Sequence, residues 1–114
     1  SSKIMKKSTF GKGNIILPST SILSPVKIKD FNILGTNSII LHHCEIDSNC
    51  SIGGGSLIGA GTKIKKNTFI GVGVTVGSLN LKIGSNSFIS SGSVVLNNIP
   101  NDTKVIGNPA RRIL

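Results

Sequence analysis

The chain is 114 residues long, with thirteen Lys and Arg against four Asp and Glu, a net charge of +9 and no Trp or Tyr. That length allows one domain, and 38% hydrophobic residues with only 4 Pro exclude a disordered chain. The charge favours anionic partners, but no pattern of base-stacking aromatics and no recognition helix accompanies it, so nucleic acid is not an expected partner.

Residues 1–9 read as a lead-in, in which Ser1-Ser2 resembles a cloning remnant and Ser1 to Lys7 lacks the apolar stretch of a signal peptide. No segment approaches the ~20 apolar residues of a membrane-spanning helix. No membrane span is therefore expected, and the expected location is cytoplasmic. From Phe10 to Val76 every sixth residue is aliphatic or aromatic, and after one extra residue the phase resumes at Ile83, Ile89 and Val95. Neither a helix nor a two-residue strand alternation needs that spacing. A hexapeptide repeat does, and it closes as a parallel β-helix. Residues 10–95 are thus expected to form an all-β solenoid of about five coils, with three hexads to a coil. Stacked at ~4.8 Å, the coils should reach a height of ~25 Å. Each coil buries its apolar row against its neighbours, which gives a short chain a continuous core.

Within a hexad the large residue is followed by a Gly or polar residue, two turn residues, a small residue and a variable one. The large and small residues should both face inward from a short strand. Gly35, Gly53, Gly59 and Gly71, with Gly77 and Gly84, follow the large residue, where the corner is expected to require φ > 0. Cys44 and Cys50 fall in the small slot and are expected to be reduced, inward-facing thiols on adjacent faces of one coil. The extra residue lies near Leu79-Asn80-Leu81 and should bulge at a corner, either as a tolerated loop or as the wall of a cleft between subunits. Residues 96–114 read as an extension, with a turn-rich exit, a short strand over Lys104-Val105-Ile106 and a second turn before Arg111-Arg112.

The chain has two His, His42 and His43, both on turn slots and so expected to face outward. Counting by eighteens puts Ser24, His42, Ala60 and Ser78 in one column, and Pro25, His43, Gly61 and Leu79 in the next. His42 would then stand one coil from Gly59-Ala60-Gly61, a stretch with almost no side chain, expected to leave open space and exposed backbone N–H groups. A base beside backbone donors is what acyl transfer requires. The alternative is two surface His meeting at a corner without a role. Catalytic zinc normally takes three protein ligands, so two adjacent His point to no metal. Gly53-Gly54-Gly55 lacks the Lys-Ser/Thr ending of a phosphate loop. Lys63, Lys65 and Lys66 read as a basic corner. Arg111 and Arg112 could hold a phosphate or form a solubilising tail.

The segment Asn37-Ser38-Ile39-Ile40-Leu41-His42-His43-Cys44-Glu45-Ile46 and the ending Val105-Ile106-Gly107-Asn108-Pro109-Ala110-Arg111-Arg112 resemble a known family. It comprises left-handed β-helix acetyltransferases acting on nucleotide amino sugars and, in the same branch, on sialic acid. The likeness runs from about Pro18 to the C-terminus. It implies left-handed winding, where the crossover rule for parallel strands would favour the opposite hand. It also implies a homotrimer with sites between neighbouring prisms, acetyl-CoA as donor and a sugar amine or hydroxyl as acceptor. His42 matches the family's catalytic base. Ala60, between Gly59 and Gly61, matches the coil whose N–H contacts the thioester carbonyl, and Arg111 and Arg112 fall where basic side chains meet the cofactor's phosphates. Three departures stand out: His43 replaces an acidic residue after the base, Ser51 replaces a second His, and the small sugar-nucleotide-binding α/β domain that precedes the solenoid has no counterpart in these residues. Glu45 or a backbone carbonyl is the candidate substitute for the acidic partner. The expected function is acetyl transfer from acetyl-CoA to an amine or hydroxyl of a sugar, with a nucleotide-linked amino sugar as the expected acceptor and a non-catalytic trimeric binding or assembly module as the alternative.

Overall fold

The computed structural model describes residues 7–113 and the backbone of Lys3–Ile4; the reading of Ser1-Ser2 lies outside the described residues. The first coils carry β1 (Lys3–Ile4), β2 (Thr9–Phe10), β3 (Ile15–Ile16), β4 (Ser21–Ile22), β5 (Lys27–Ile28) and β6 (Ile33–Leu34). The middle coils carry β7 (Ile39–Ile40), β8 (Glu45–Ile46), β9 (Ser51–Ile52), β10 (Leu57–Ile58), β11 (Lys63–Ile64) and β12 (Phe69–Ile70). Above them come β13 (Thr75–Val76), β14 (Lys82–Ile83), β15 (Phe88–Ile89), β16 (Val94–Val95), β17 (Lys104–Gly107) and β18 (Ala110–Arg112). Each repeat strand is two residues long because the hexad supplies one variable outward residue and one large inward residue before the chain must turn.

Three parallel sheets form the faces of a prism. β1, β4, β7, β10, β13 and β16 make the first face, β2, β5, β8, β11 and β14 the second, and β3, β6, β9, β12, β15 and β17 the third, with β18 added antiparallel at its end. Ile40 is in register with Ile22 below and Ile58 above, a step of eighteen residues each way. The chain forms a left-handed parallel β-solenoid of the kind the resemblance implies. Among the described residues, no helix is long and apolar enough to cross a membrane.

The inward column is dry: Ile22, Ile40, Ile58 and Val76 on the first face are at most 1% exposed. Truncating such a residue to Ala costs about 2–5 kcal/mol. The small slot holds buried hydroxyls, several of them satisfied by backbone carbonyls, as where Ser56 Oγ donates to Gly71 O at 3.0 Å, whereas Ser38 Oγ has no partner among the described residues. Cys44 and Cys50 are free and buried in the same slot.

Three details differ from the sequence reading. The ladder passes both ends of the 10–95 span, since β1 pairs with β4 and β17 with β15. Positive φ falls two residues later than expected, at His43, Asn49, Gly55, Gly61 and Asn67, and not at the glycines that follow the large residue. Those earlier glycines answer to crowding: a Cβ on Gly53 would strike the Gly71 carbonyl of the coil above. Finally, the extra residue does widen the corner at residues 77–81, but it makes Asn80 rather than Leu79 the upper neighbour of Gly61. Asn80 N–H donates to Ala60 O at 3.0 Å, and Lys63 is in register with Lys82, nineteen residues on.

Candidate active site

The corners between the first and second faces stack as residues 23–26, 41–44, 59–62 and 77–81. His43 N–H donates to Pro25 O at 2.6 Å and Gly61 N–H to His42 O at 3.0 Å, so residues 42 and 60 are vertical neighbours. Both His are exposed. Their rings lie edge to face, with centroids 5.0 Å apart and planes at 88°, and Nδ1 of His42 is 2.8 Å from Nδ1 of His43. The partner of His42 is therefore the adjacent imidazole rather than Glu45, which faces outward on β8. At that distance one Nδ1 carries the hydrogen and the other accepts it. If His42 keeps its Nε2 lone pair for a substrate proton, it donates through Nδ1–H and His43 carries its own hydrogen on Nε2.

His43 holds this place at a backbone cost. Its φ is 64°, a left-handed turn that Asn and Gly supply at neighbouring corners and that Lys7, Ser19 and Phe31 also adopt. Gly and Asn visit that region readily because Gly has no Cβ and Asn bonds locally, and a larger side chain there costs about 1–3 kcal/mol.

The ledge above His42 is more specific than expected. Gly59 N–H donates to Val76 O at 3.1 Å and Gly61 N–H to His42 O, so two of the three expected donors belong to the ladder. Among the described residues, Ala60 N–H has no acceptor, although Ala60 is only 8% exposed. The N–H of the same corner slot also lacks an acceptor at His42 and Gly54 among the described residues, so the winding leaves this donor free, and at Ala60 it fits an oxygen arriving from outside. The glycines do not leave open space: a Cβ on Gly61 would strike Asn80 Oδ1, and one on Gly59 would lie 2.6 Å from Val76 O. Gly59 O is fixed from within by Thr62 Oγ1 at 2.7 Å and Cys44 Sγ at 3.1 Å. Cys44 thus ties the His corner to the ledge. Burial pushes its thiol from 9.0 to about 11, with backbone hydrogen bonds pulling weakly the other way. It is a neutral donor at ordinary pH and a poor nucleophile.

A groove of about 430 Å³ opens on the second face beside His43 and Gly61, lined also by Lys7, Lys27, Lys63 and Glu45. Lys63 lies on β11 rather than on a corner; counting back by eighteens gives Glu45 and Lys27, a column the register displays. Arg111 and Arg112 are elsewhere. β18 caps the third face, and the two Arg line a separate cavity of about 260 Å³. Arg112 Nη2 donates to Thr103 Oγ1 at 3.2 Å and Arg111 Nη1 to Ala110 O at 3.0 Å. One protomer does not bring them to His42.

Residues 25–60 match the family described as bacterial transferase hexapeptide (six repeats). PerB from Caulobacter crescentus, solved with CoA and GDP-perosamine, superposes with a TM-score of 0.96 at 25% identity, over 100% of this chain and 55% of that one. The chain is a hexapeptide-repeat protein of the left-handed β-helix acetyltransferase fold. The acetyltransferase domain of PglB from Neisseria gonorrhoeae, solved with acetyl coenzyme A, gives a TM-score of 0.95 at 24% identity, over 98% of this β-helix and 54% of that chain. Serine acetyltransferase 3, mitochondrial, from Arabidopsis thaliana is 35% identical over 110 residues, which are 90% of this chain and 24% of that protein. Serine acetyltransferase from Synechococcus elongatus is 35% identical over 83 residues, 71% of this chain and 34% of that protein. The β-helix thus spans a quarter to a third of these curated relatives and about half of the solved chains. The match over residues 25–60 contains His42, His43 and the Gly59-Ala60 ledge.

Proposed function

We propose that this β-helix is an acetyl-CoA-dependent acetyltransferase that acts as a homotrimer and moves an acetyl group to an amine or hydroxyl of a sugar. The observation that carries the reading is the vertical pairing of His42, its ring tied to His43 at 2.8 Å, with the unpartnered N–H of Ala60 one coil above. Acetyl-CoA, when bound, supplies the thioester carbonyl that is attacked. His42 Nε2 takes the proton of the attacking amine or hydroxyl as general base. Its Nδ1–H donates to His43, which holds the ring in that tautomer and spreads the positive charge that forms. Ala60 N–H, which has no acceptor among the described residues, stabilises the negative charge growing on the carbonyl oxygen. His42 then returns the proton to the departing sulfur. No acyl-enzyme is involved, because burial keeps both thiols protonated. The end of the third face, at Arg111 and Arg112 on β18, is four strand spacings, roughly 19 Å, above β9. An extended pantetheine arm can cover that climb and leave the phosphates beside the guanidinium groups.

Two acceptor classes have separate support. The GDP-perosamine bound to PerB favours a nucleotide-linked amino sugar, and the serine acetyltransferase relatives favour a small hydroxyl acceptor. The test is His42→Ala, assayed with acetyl-CoA against a panel of amino sugars, nucleotide amino sugars and L-serine. Transfer should fall by ~10²–10⁴ with CoA affinity intact. Unchanged turnover would refute the base. Sedimentation should give about three chains per particle; a stable monomer removes the intersubunit cleft. A wild-type protein that binds CoA but acetylates nothing on the panel leaves the non-catalytic module.

A further inference from the structure

The prism keeps its charge on one face. The described outward positions of the first face, from Ser21 to Val94, carry no charge, and those of the third carry one, Lys104. On the second face the outward column runs Lys27, Glu45, Lys63 and Lys82 in register. The residues that follow these strands stack as Lys29, Asp47 and Lys65, and the corner beyond adds Lys12, Asp30 and Lys66. Seven exposed lysines thus stand against three carboxylates, a surplus of four out of the chain's net +9. Among the described residues the one ion pair is Lys29–Asp47 at 3.7 Å. Lys63 and Lys82 are direct cross-strand neighbours, and Lys65 adjoins Lys66, so the face holds like charges side by side at a cost in stability.

An anionic counter-surface relieves that repulsion, and the layout of the charges selects its kind. The coils repeat in register, so the lysines rise from one sheet of five strands, roughly 19 Å tall. No aromatic stands among these columns for a base to stack on, and the described residues include no helix to enter a duplex groove. Carboxylates alternate with lysines along the columns. They oppose a polyanion of fixed geometry, whereas mobile lipid headgroups rearrange around them. At the margin of the face, in the corner beside Asp30, Phe31 is 57% exposed. An exposed aromatic at the rim of a basic surface suits the boundary between headgroups and acyl chains. We propose that the second face docks on an anionic lipid bilayer, with its lysines among the headgroups and Phe31 at the edge of the contact.

In this pose the prism lies on its side, its 40 Å length along the membrane. The attraction falls off within a Debye length, about 8 Å at physiological ionic strength, so only lysines turned towards the bilayer contribute. Lys104 carries the same charge but belongs to the third face, and so does Phe88, stacked on Phe69 with ring centroids 4.9 Å apart. The groove at Lys27 and Lys63 also opens at His43 and Gly61, so docking brings the His corner to the membrane surface. The proposal goes beyond the acetyltransferase reading and does not depend on it.

The experiment is co-sedimentation with vesicles of phosphatidylcholine alone and of phosphatidylcholine mixed with phosphatidylserine. The protein should bind the anionic vesicles only and leave them as salt rises. Lys65→Gln should weaken partitioning roughly fivefold, and Lys104→Gln, the same loss of charge on the third face, by less than about twofold. The chain has no Trp, so Phe31→Trp supplies a single reporter; its emission should shift to the blue on anionic vesicles, and that of Phe88→Trp should not. No binding to anionic vesicles, or equal losses from the two lysine variants, would overturn the proposal. An unshifted Phe31→Trp on vesicle-bound protein would overturn it as well. Release by saturating acetyl-CoA would give the lysines to the cofactor, and duplex DNA held more tightly than vesicles at the same salt would give them to nucleic acid; either result overturns the proposal. None of these measurements involves turnover, so the assignment of His42 is decided separately.

Discussion

Ala60→Pro isolates the oxyanion donor. Proline removes the N–H and fixes φ near −65°, so it is informative only where the backbone already suits it. The lower coils supply the precedent: Pro18 occupies the same hexad slot at another corner, and the two turns match closely. Thr20 N–H donates to Leu17 O at 3.4 Å and Thr62 N–H to Gly59 O at 3.3 Å, while Thr20 Oγ1 and Thr62 Oγ1 reach those same carbonyls at 2.7 Å in both cases. Ser19 and Gly61, which follow, have φ of 63° and 74°. No ladder bond is lost, because Ala60 N–H makes none among the described residues. Stability should therefore hold or rise by about 0.4–1 kcal/mol from the stiffer unfolded chain. Loss of one preorganised oxyanion donor should cost ~10²–10³ in kcat, about 2.7–4 kcal/mol. The assay is steady-state acetyl transfer with free-thiol detection, alongside denaturant unfolding and acetyl-CoA binding. A variant with wild-type stability and binding whose kcat stays within about threefold of the parent would show that Ala60 N–H does not meet the reacting oxygen.

Two further outcomes follow from the same corner. His43→Asn, which suits the left-handed turn and keeps an acceptor, should retain most activity, whereas His43→Phe should lose roughly tenfold to a hundredfold in kcat with acetyl-CoA binding unchanged; equal rates for Asn, Phe and parent would make the His–His contact idle. Burial raises both thiols from 9.0 to about 11, so the folded state holds those protons more tightly than the unfolded chain. The stability they contribute is complete below pH 9 and is lost as pH rises towards 11, by about 2–3 kcal/mol per thiol. Cys44→Val copies Val26, which fills the same slot one coil below, and should flatten the decline in urea midpoint between pH 8 and 10.5; an unchanged slope would mean the thiol titrates freely.

The solenoid was legible because its period is a property of single residues: one large side chain in six, with Ile40, Ile58 and their column each sealed by the coil above and below. Counting by eighteens also placed His42 beneath Ala60, since both belong to unbroken hexads. It failed above residue 76, where one additional residue shifts the column and puts Asn80 in the place given to Leu79. The donor inventory of the ledge was not legible, because which N–H joins a ladder depends on the backbone of the adjacent coil. The His–His contact was not legible either, because it needs the left-handed φ at His43 to turn one ring onto the other. The lysine groove was within reach of the same arithmetic that found His42; Lys63 minus eighteen is Glu45, and minus thirty-six is Lys27. Taken as a local run with Lys65 and Lys66, Lys63 was assigned to a corner that it does not occupy.

The His corner and its ledge lie on successive rungs, and residues 25–60 make up just two turns of the winding. The spatial relation between base and donor is therefore indifferent to how tall the prism grows. Whole rungs can be spliced in above or below by natural duplication or by design, lengthening the wall along which a cofactor lies while the reacting centre keeps its dimensions. A splice that is not a whole rung, placed between residues 42 and 60, would separate base from donor at once.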